Sequence, residues 1–148
     1  MIASNFLASD PSHATSTGCL VDTDLFIKLK RHQPISTAVQ TALHQCAPRL
    51  FVSVVSIWQM LLRERAGLQL LPHPPLMMLA QERSLLGLQS LALDEACLQH
   101  LHQLSDQELS SFDQLLICQA LQSGLKLASE RPCFCTSQLS QLGLQLLS

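Results

Sequence analysis

Apolar and polar residues follow two patterns along the chain, short apolar runs bounded by turn residues and longer runs with apolar residues three and four positions apart. The first pattern predicts buried strands and the second predicts helices. The predicted strands span residues 18–21, 50–52, 88–93, 125–128 and, as a candidate, 142–147. The predicted helices span about 24–29, 34–47, 54–66, 76–85, 95–103 and 112–122. Strands separated by helices are typical of a parallel sheet covered on both faces, so we expect an α/β fold, a three-layer α/β/α sandwich with a central, mainly parallel sheet.

The chain is 148 residues long and 47% of it is hydrophobic, which suffices for one core and one domain. We expect this domain to span residues 18–148 and residues 1–17 to form a flexible tail, because the second half of that segment is rich in Ser, Thr, Pro and Asp. No apolar run is as long as a membrane span, and the N-terminal segment lacks the pattern of a secretory leader. We therefore expect a soluble, cytoplasmic protein that makes no membrane contact.

The formal net charge of −2 excludes a protein that binds nucleic acid by bulk positive charge. Any contact with RNA must then depend on a local basic patch. Residues 28–32 and the pair Arg63 and Arg65 are candidates, although solvated helix ends are the simpler explanation. The six cysteines lack the paired spacing of a zinc site, so we expect free thiols, most of them buried.

One carboxylate lies on the apolar side of a predicted helix. Leu116, Ile117 and Ala120 follow Asp113 by three, four and seven positions, which places the acid on the apolar stripe. A buried charge is costly unless a cationic side chain, a helix N-terminus or a metal ion compensates it. Asp113 therefore marks a candidate site, with a plain helix-end charge as the alternative.

Further polar residues fall where a parallel sheet binds its ligands, at the carboxyl ends of strands. Asp22 ends the first predicted strand, and Ser129 and Glu130 follow the fourth. Gln59 shares a helical face with apolar residues, and a hydrogen-bonded core amide is the simpler interpretation there. Oxygen groups that converge from separate segments at one sheet edge are typical of a site for Mg²⁺ or Mn²⁺.

Three stretches of the chain resemble the three best-marked stretches of the PIN domain family, and within it the toxins of VapC type. They are residues 19–26, residues 52–60 with Gly67 and Leu68 after them, and residues 111–120. The last of these, SFDQLLICQA, is similar to the family's DPFDRLLIAQA and is the most specific. The likeness runs from about Gly18 to Phe134 in matching order and spacing, and it implies a PIN-like sandwich.

The resemblance implies the toxin of a type II toxin–antitoxin system, a metal-dependent endoribonuclease whose acids bind Mg²⁺ or Mn²⁺ and activate a water. Asp22 matches the family's first acid and Asp113 its third, so both are expected catalytic residues and metal ligands. Thr23 matches a residue whose hydroxyl supports the first acid, and Ser129 is an expected polar contact to substrate or metal. RNA as substrate, a small antitoxin as partner and a homodimer are implied as well.

Two of the family's four acidic positions are substituted here. Gln59, the third expected catalytic residue, stands in place of a Glu, and Arg131 takes the position of an Asp, with Glu130 one residue away. A Gln oxygen can coordinate a cation but brings no charge and cannot act as a general base. Asp24 and Glu130 are candidate auxiliary acids. The alternative is a catalytically weakened or inactive PIN-like module that binds RNA or a protein partner.

Overall fold

The computed structural model describes residues 18–104 and 109–148. The predicted tail, residues 1–17, lies outside these ranges. Within them the chain forms one five-stranded sheet with helices on both faces, so the predicted three-layer α/β/α sandwich is confirmed. In this described part of the chain, no helix combines the length and the apolar character that crossing a lipid bilayer requires.

The sheet is parallel throughout. Its strands in chain order are β1 (Cys19–Val21), β2 (Leu50–Ser53), β3 (Gln89–Leu91), β4 (Lys126–Ala128) and β5 (Leu146–Leu147). Their order across the sheet is β3-β2-β1-β4-β5, with β1 paired to β2 on one side and to β4 on the other. The winding direction therefore reverses between β1 and β4, and such a reversal opens a crevice at the carboxyl ends of the two strands.

The helices cover the two faces of the sheet unequally. In chain order they are α1 (Thr23–Lys30), α2 (Thr37–Cys46), α3 (Val54–Arg65), α4 (Pro75–Leu86), α5 (Glu95–Leu98), α6 (Ser111–Ser123) and α7 (Ser137–Gln141). Cys19 and Val21 of β1 pack with α1 to α4 in one core, whereas Leu20 packs with α6 and α7 in the other. This alternation is the period of a strand buried on both faces, as the apolar run predicts.

The predicted elements differ from the observed ones mainly at their ends. The helix predicted at 95–103 is α-helical only to Leu98 and continues as a 3₁₀ helix over Gln99–Gln103. Helix α7 was not predicted, because it is a single short turn with one buried apolar residue, Leu139. Its beginning depends on a local hydrogen bond, in which the Thr136 hydroxyl accepts from the Leu139 N–H at 3.3 Å.

Candidate functional site

Asp22 lies at the carboxyl end of β1, inside the crevice, and caps the N-terminus of α1. Its Oδ1 accepts a hydrogen bond of 2.7 Å from the Leu25 N–H, and its Oδ2 accepts one from the Ser129 hydroxyl at the end of β4. The carboxylate is almost fully buried. Asp22 and Ser129, predicted from separate segments, are therefore brought together at the switch point of the sheet.

Burial dominates the electrostatics of Asp22. It raises the pKa of this carboxyl from its ordinary value of 3.8 to about 6, against the opposing effect of the hydrogen bonds from Ser129 and Leu25. The nearby Asp24 raises the pKa further and Arg131 lowers it by smaller amounts. Removing water from the charged form thus outweighs all the stabilising contacts that this acid receives.

Asp113 enters the same region from the first turn of α6 and is only 3% exposed, as its place on the apolar stripe predicts. The Ser110 hydroxyl caps this helix, accepting from the Asp113 N–H at 3.2 Å and donating to Asp113 Oδ2 at 2.8 Å. Asp113 is therefore a helix-end charge, as the alternative interpretation holds, but a cationic side chain also contacts its carboxylate.

That cation is Arg131, which follows β4 by three residues. Its guanidinium donates Nη1–H to Asp113 Oδ1 and Nη2–H to Asp113 Oδ2, the second bond being 3.1 Å long. Its Nε lies 3.4 Å from Asp24 Oδ2, and its Cζ lies 5.4 Å from the centroid of the Phe134 ring. The Arg131 N–H donates to the Ser129 hydroxyl at 3.0 Å, so the arginine is joined to Asp22 as well, through Ser129.

The remaining charges of the site line an open pocket of about 410 Å³ beside α1. Asp24, half-exposed, receives a second cation, since Arg63 Nη1 on α3 lies 3.4 Å from Asp24 Oδ1. Glu130 lines the same pocket but bonds away from the other acids, to Lys28 Nζ at 2.8 Å and to the Ser36 N–H at 2.6 Å. The bond from Lys28 is the main reason that the pKa of Glu130 lies below its usual value.

The side chains of two predicted residues, Thr23 and Gln59, make no hydrogen bond to Asp22 or Asp113. Thr23 is buried, but its hydroxyl has no hydrogen-bond partner within the described ranges, and the contact to Asp22 expected of it is made by Ser129 instead. Gln59 is half-buried on α3, and no hydrogen bond joins it to Asp22 or Asp113.

A fully buried amide belongs to another glutamine, Gln119 on α6. Its Oε1 accepts from the Ser53 hydroxyl, and its Nε2 donates to the carbonyl oxygens of Leu91 and Ala92 at 3.3 and 3.0 Å. The sequence analysis does not identify this residue, although Gln119 interrupts the apolar run of the helix six residues after Asp113. The hydrogen bonds of Gln119 connect α6 to the ends of β2 and β3.

The donor set does not fit a resident Mg²⁺ or Mn²⁺ ion. Within residues 18–104 and 109–148, no three or more His, Cys, Asp or Glu side chains are grouped so as to hold a metal. All four carboxylate oxygens of Asp22 and Asp113 already accept hydrogen bonds from the protein. A guanidinium lies against Asp113, and it would repel a divalent cation there.

No protein-family model matches the chain, and no curated protein sequence matches it significantly. Solved structures that resemble its fold include two from toxin–antitoxin and FitAcB complexes. A chain of a toxin–antitoxin complex from Klebsiella pneumoniae is 14% identical, with a TM-score of 0.58 over 88% of this chain and 97% of that one. A chain of FitAcB from Neisseria gonorrhoeae is 16% identical, with a TM-score of 0.54 over 88% and 96%. At such identities the likeness concerns the fold.

Proposed function

We propose that this protein is the toxin-type component of a toxin–antitoxin pair, of PIN kind, and that it works by binding an antitoxin-type protein. The all-parallel sandwich and its likeness to a chain of a toxin–antitoxin complex support the class. The three stretches that resemble VapC-type toxins point the same way. The proposal depends on the fold and on an exposed apolar surface rather than on the acids.

The observation that carries the proposal is an apolar stripe on α3. Val54, Trp58 and Leu62 are spaced by four residues and therefore share one helical face, and they are 38%, 54% and 39% exposed. The indole of Trp58 is held by the Phe112 ring, with centroids 5.3 Å apart. Large exposed apolar patches with an aromatic anchor mark protein interfaces, whereas single exposed apolar residues are ordinary.

A second apolar segment, residues 76–79, is divided between the surface and the core. Leu76 and Met77 at the start of α4 are exposed, whereas Met78 and Leu79 are buried in the core with α1 and α2. Core packing therefore explains half of that segment. The stripe on α3 is the better candidate for a protein partner.

The experiment uses the polypeptide encoded beside this protein's reading frame, produced together with it and purified through a tag on the toxin-type chain. We expect a stable complex that Trp58→Glu weakens by at least about thirtyfold, as loss of an aromatic anchor does. Leu85→Glu is the matched control, because Leu85 is more exposed than Trp58 but lies on α4. Equal binding by both variants would contradict the proposal.

The implied homodimer is tested by sedimentation of the protein alone. If a second copy covers the stripe, wild type should sediment as a dimer and Trp58→Glu as a monomer. If wild type is a monomer, the stripe is available to bind the antitoxin-type partner.

The second candidate function is that of a metal-dependent endoribonuclease that cleaves RNA phosphodiesters. It is favoured by one observation, that Asp22 and Asp113 come from distant parts of the chain and both reach the surroundings of Arg131. In this case Asp22 and Asp113 would ligate Mg²⁺ or Mn²⁺, with Gln59 as the third catalytic residue. The expected auxiliary contacts would come from Thr23, Asp24, Ser129 and Glu130.

Purified protein incubated with structured RNA and Mn²⁺ separates the two candidates. We expect no cleavage by wild type or by Asp22→Asn, since Gln59 and Arg131 remove two negative charges from the acidic positions. Cleavage by wild type that Asp22→Asn abolishes would establish the nuclease instead. Binding of the same RNA without cleavage would make RNA, rather than a protein, the partner.

A further inference from the structure

We infer that Arg131 is the resident cation of the acidic edge, and that its guanidinium takes the place in which a divalent metal ion would otherwise bind. The acidic edge denotes Asp22, Asp24 and Asp113 together with the crevice between β1 and β4. The inference concerns these acids and not the apolar stripe of α3, so it does not depend on any protein partner.

The contacts of Arg131 are those of a built ion pair. Its two terminal nitrogens bond to the two oxygens of one carboxylate, Asp113, in the planar fork geometry that only arginine offers. Its third nitrogen, Nε, faces Asp24. One side chain thus neutralises an acid on α6 and reaches another on α1.

The arginine is held in this position from three directions. Its own N–H bonds to the Ser129 hydroxyl, its guanidinium lies over the Phe134 ring, and Pro132 after it begins the short 3₁₀ helix Pro132–Phe134. The guanidinium of arginine stays protonated in folded proteins, so its charge does not depend on pH. The cation is therefore a permanent part of the edge.

The burial of Asp113 explains why a cation is needed there. With 3% of the residue exposed, water cannot stabilise its charge, and the Ser110 cap alone supplies one neutral hydroxyl. Removing the guanidinium would leave this buried carboxylate without a cation and would take one of two cations from Asp24. Carboxylate oxygens that lack a cationic partner attract hard divalent cations. The bound guanidinium therefore excludes a metal ion from Asp113.

The test is a titration of the metal-free protein with Mn²⁺, followed by electron paramagnetic resonance, in which the signal of the free ion falls on binding. Wild type should bind Mn²⁺ only weakly. Arg131→Asp, which adds a carboxylate in place of the guanidinium, should bind at least about tenfold more tightly than wild type. Arg131→Ala should gain less. Arg63→Ala is the matched control and should gain nothing, because Asp24 is the only acid with which Arg63 pairs in the described part of the chain.

Thermal unfolding followed by circular dichroism shows whether each variant is folded. If Arg131→Asp does not fold, Arg131→Ala alone decides, and a gain over wild type supports the inference. Wild type that binds Mn²⁺ as tightly as the Arg131 variants would overturn it, as would variants that bind none. An equal gain in Arg63→Ala would also overturn it, since the effect would then be one of general charge. No partner is present, so failure here leaves the proposed function untouched.

Discussion

Two polar networks lie at the same end of the sheet, and one consists of neutral groups whereas the other consists of charged groups. At the ends of β2 and β3 the network is neutral, with Gln119 bonded to the Ser53 hydroxyl and to two backbone carbonyls. At the ends of β1 and β4 it is charged, with Asp22 bonded to Ser129 and Asp113 bonded to Arg131. Both networks include α6, which carries Asp113 in its first turn and Gln119 further along.

The difference shows what each network can do. Gln119 and Ser53 are both fully buried, and their bonds end on other protein groups, so this network can only stabilise the fold. The charged network opens to a pocket, since the side chains of Arg131 and Asp24 are 37% and 42% exposed. Its charged groups are therefore accessible to ions and to partner molecules.

The largest expected effect is in the neutral network. Gln119→Leu should lower the free energy of unfolding by about 3 kcal/mol, because it leaves the buried Ser53 O–H without an acceptor and removes the two bonds to the carbonyls of Leu91 and Ala92. Urea unfolding measures this value. Gln59→Leu is the matched control and should change stability by less than about 0.5 kcal/mol, since Gln59 is half-buried and outside both networks. Similar losses in the two variants would mean that the neutral network does not stabilise the fold.

A nearly equal effect, dependent on pH, is expected in the charged network. The pKa of Asp22 is about 6 in the folded protein and near 3.8 in the unfolded chain, so the folded state binds this proton more tightly. The contribution of Asp22 to stability is therefore greatest below pH 4 and is lost as the pH rises to about 6. A shift of this size corresponds to at most about 3 kcal/mol.

Asp22→Asn removes this titration. We expect its stability relative to wild type to increase between pH 4 and pH 6 and to level off above, as measured by urea unfolding at several pH values. The difference between the two proteins at each pH reports the titration of Asp22. A difference that does not change with pH would contradict the raised pKa.

A smaller loss is expected where the charged network meets the helix end. Ser110→Ala removes the cap of α6 and one hydrogen bond to Asp113, and it should lower the free energy of unfolding by about 1 kcal/mol. Ser111→Ala controls for the substitution itself, because Ser111 is exposed and is not the cap. Equal values for the two, by urea unfolding, would show that Arg131 alone satisfies Asp113.

The smallest effect is expected at the rim of the pocket. Glu130→Gln breaks the ion pair with Lys28 but keeps an oxygen for the Ser36 N–H, and it should lower stability by no more than about 0.5 kcal/mol. Thermal unfolding at low and high salt measures it, and the loss should diminish as salt screens the pair. A large loss that salt does not change would place Glu130 within the charged network.

The sequence predicts the fold well, because the fold depends on the spacing of apolar residues and on the burial of their side chains. The apolar runs identify all five strands, and the position of Asp113 on the apolar stripe identifies a buried acid and its need for compensation. Asp22 and Ser129 are likewise predictable, since each directly follows a buried strand in a parallel sheet. These inferences need only the local order of residues.

What the sequence does not predict is which side chains meet. Arg131 is visible only as a substitution, and its bonds to Asp113 depend on the path of the chain after β4. Gln59 and Gln119 are both amides in apolar helical runs, and spacing cannot tell which is buried, because that depends on where β2 and β3 end. From the sequence, either Thr23 or Ser129 could donate a hydrogen bond to Asp22. The geometry of the crevice determines that Ser129 does so.

The most direct measurement of whether Arg131 stands in for a metal is a crystal of the wild-type protein soaked in Mn²⁺, with anomalous diffraction recorded for manganese. We predict no anomalous peak between Asp22 and Asp113, and density for the Arg131 guanidinium bonded to both oxygens of Asp113. A manganese peak ligated by these two carboxylates, with Arg131 displaced into solvent, would contradict the central claim.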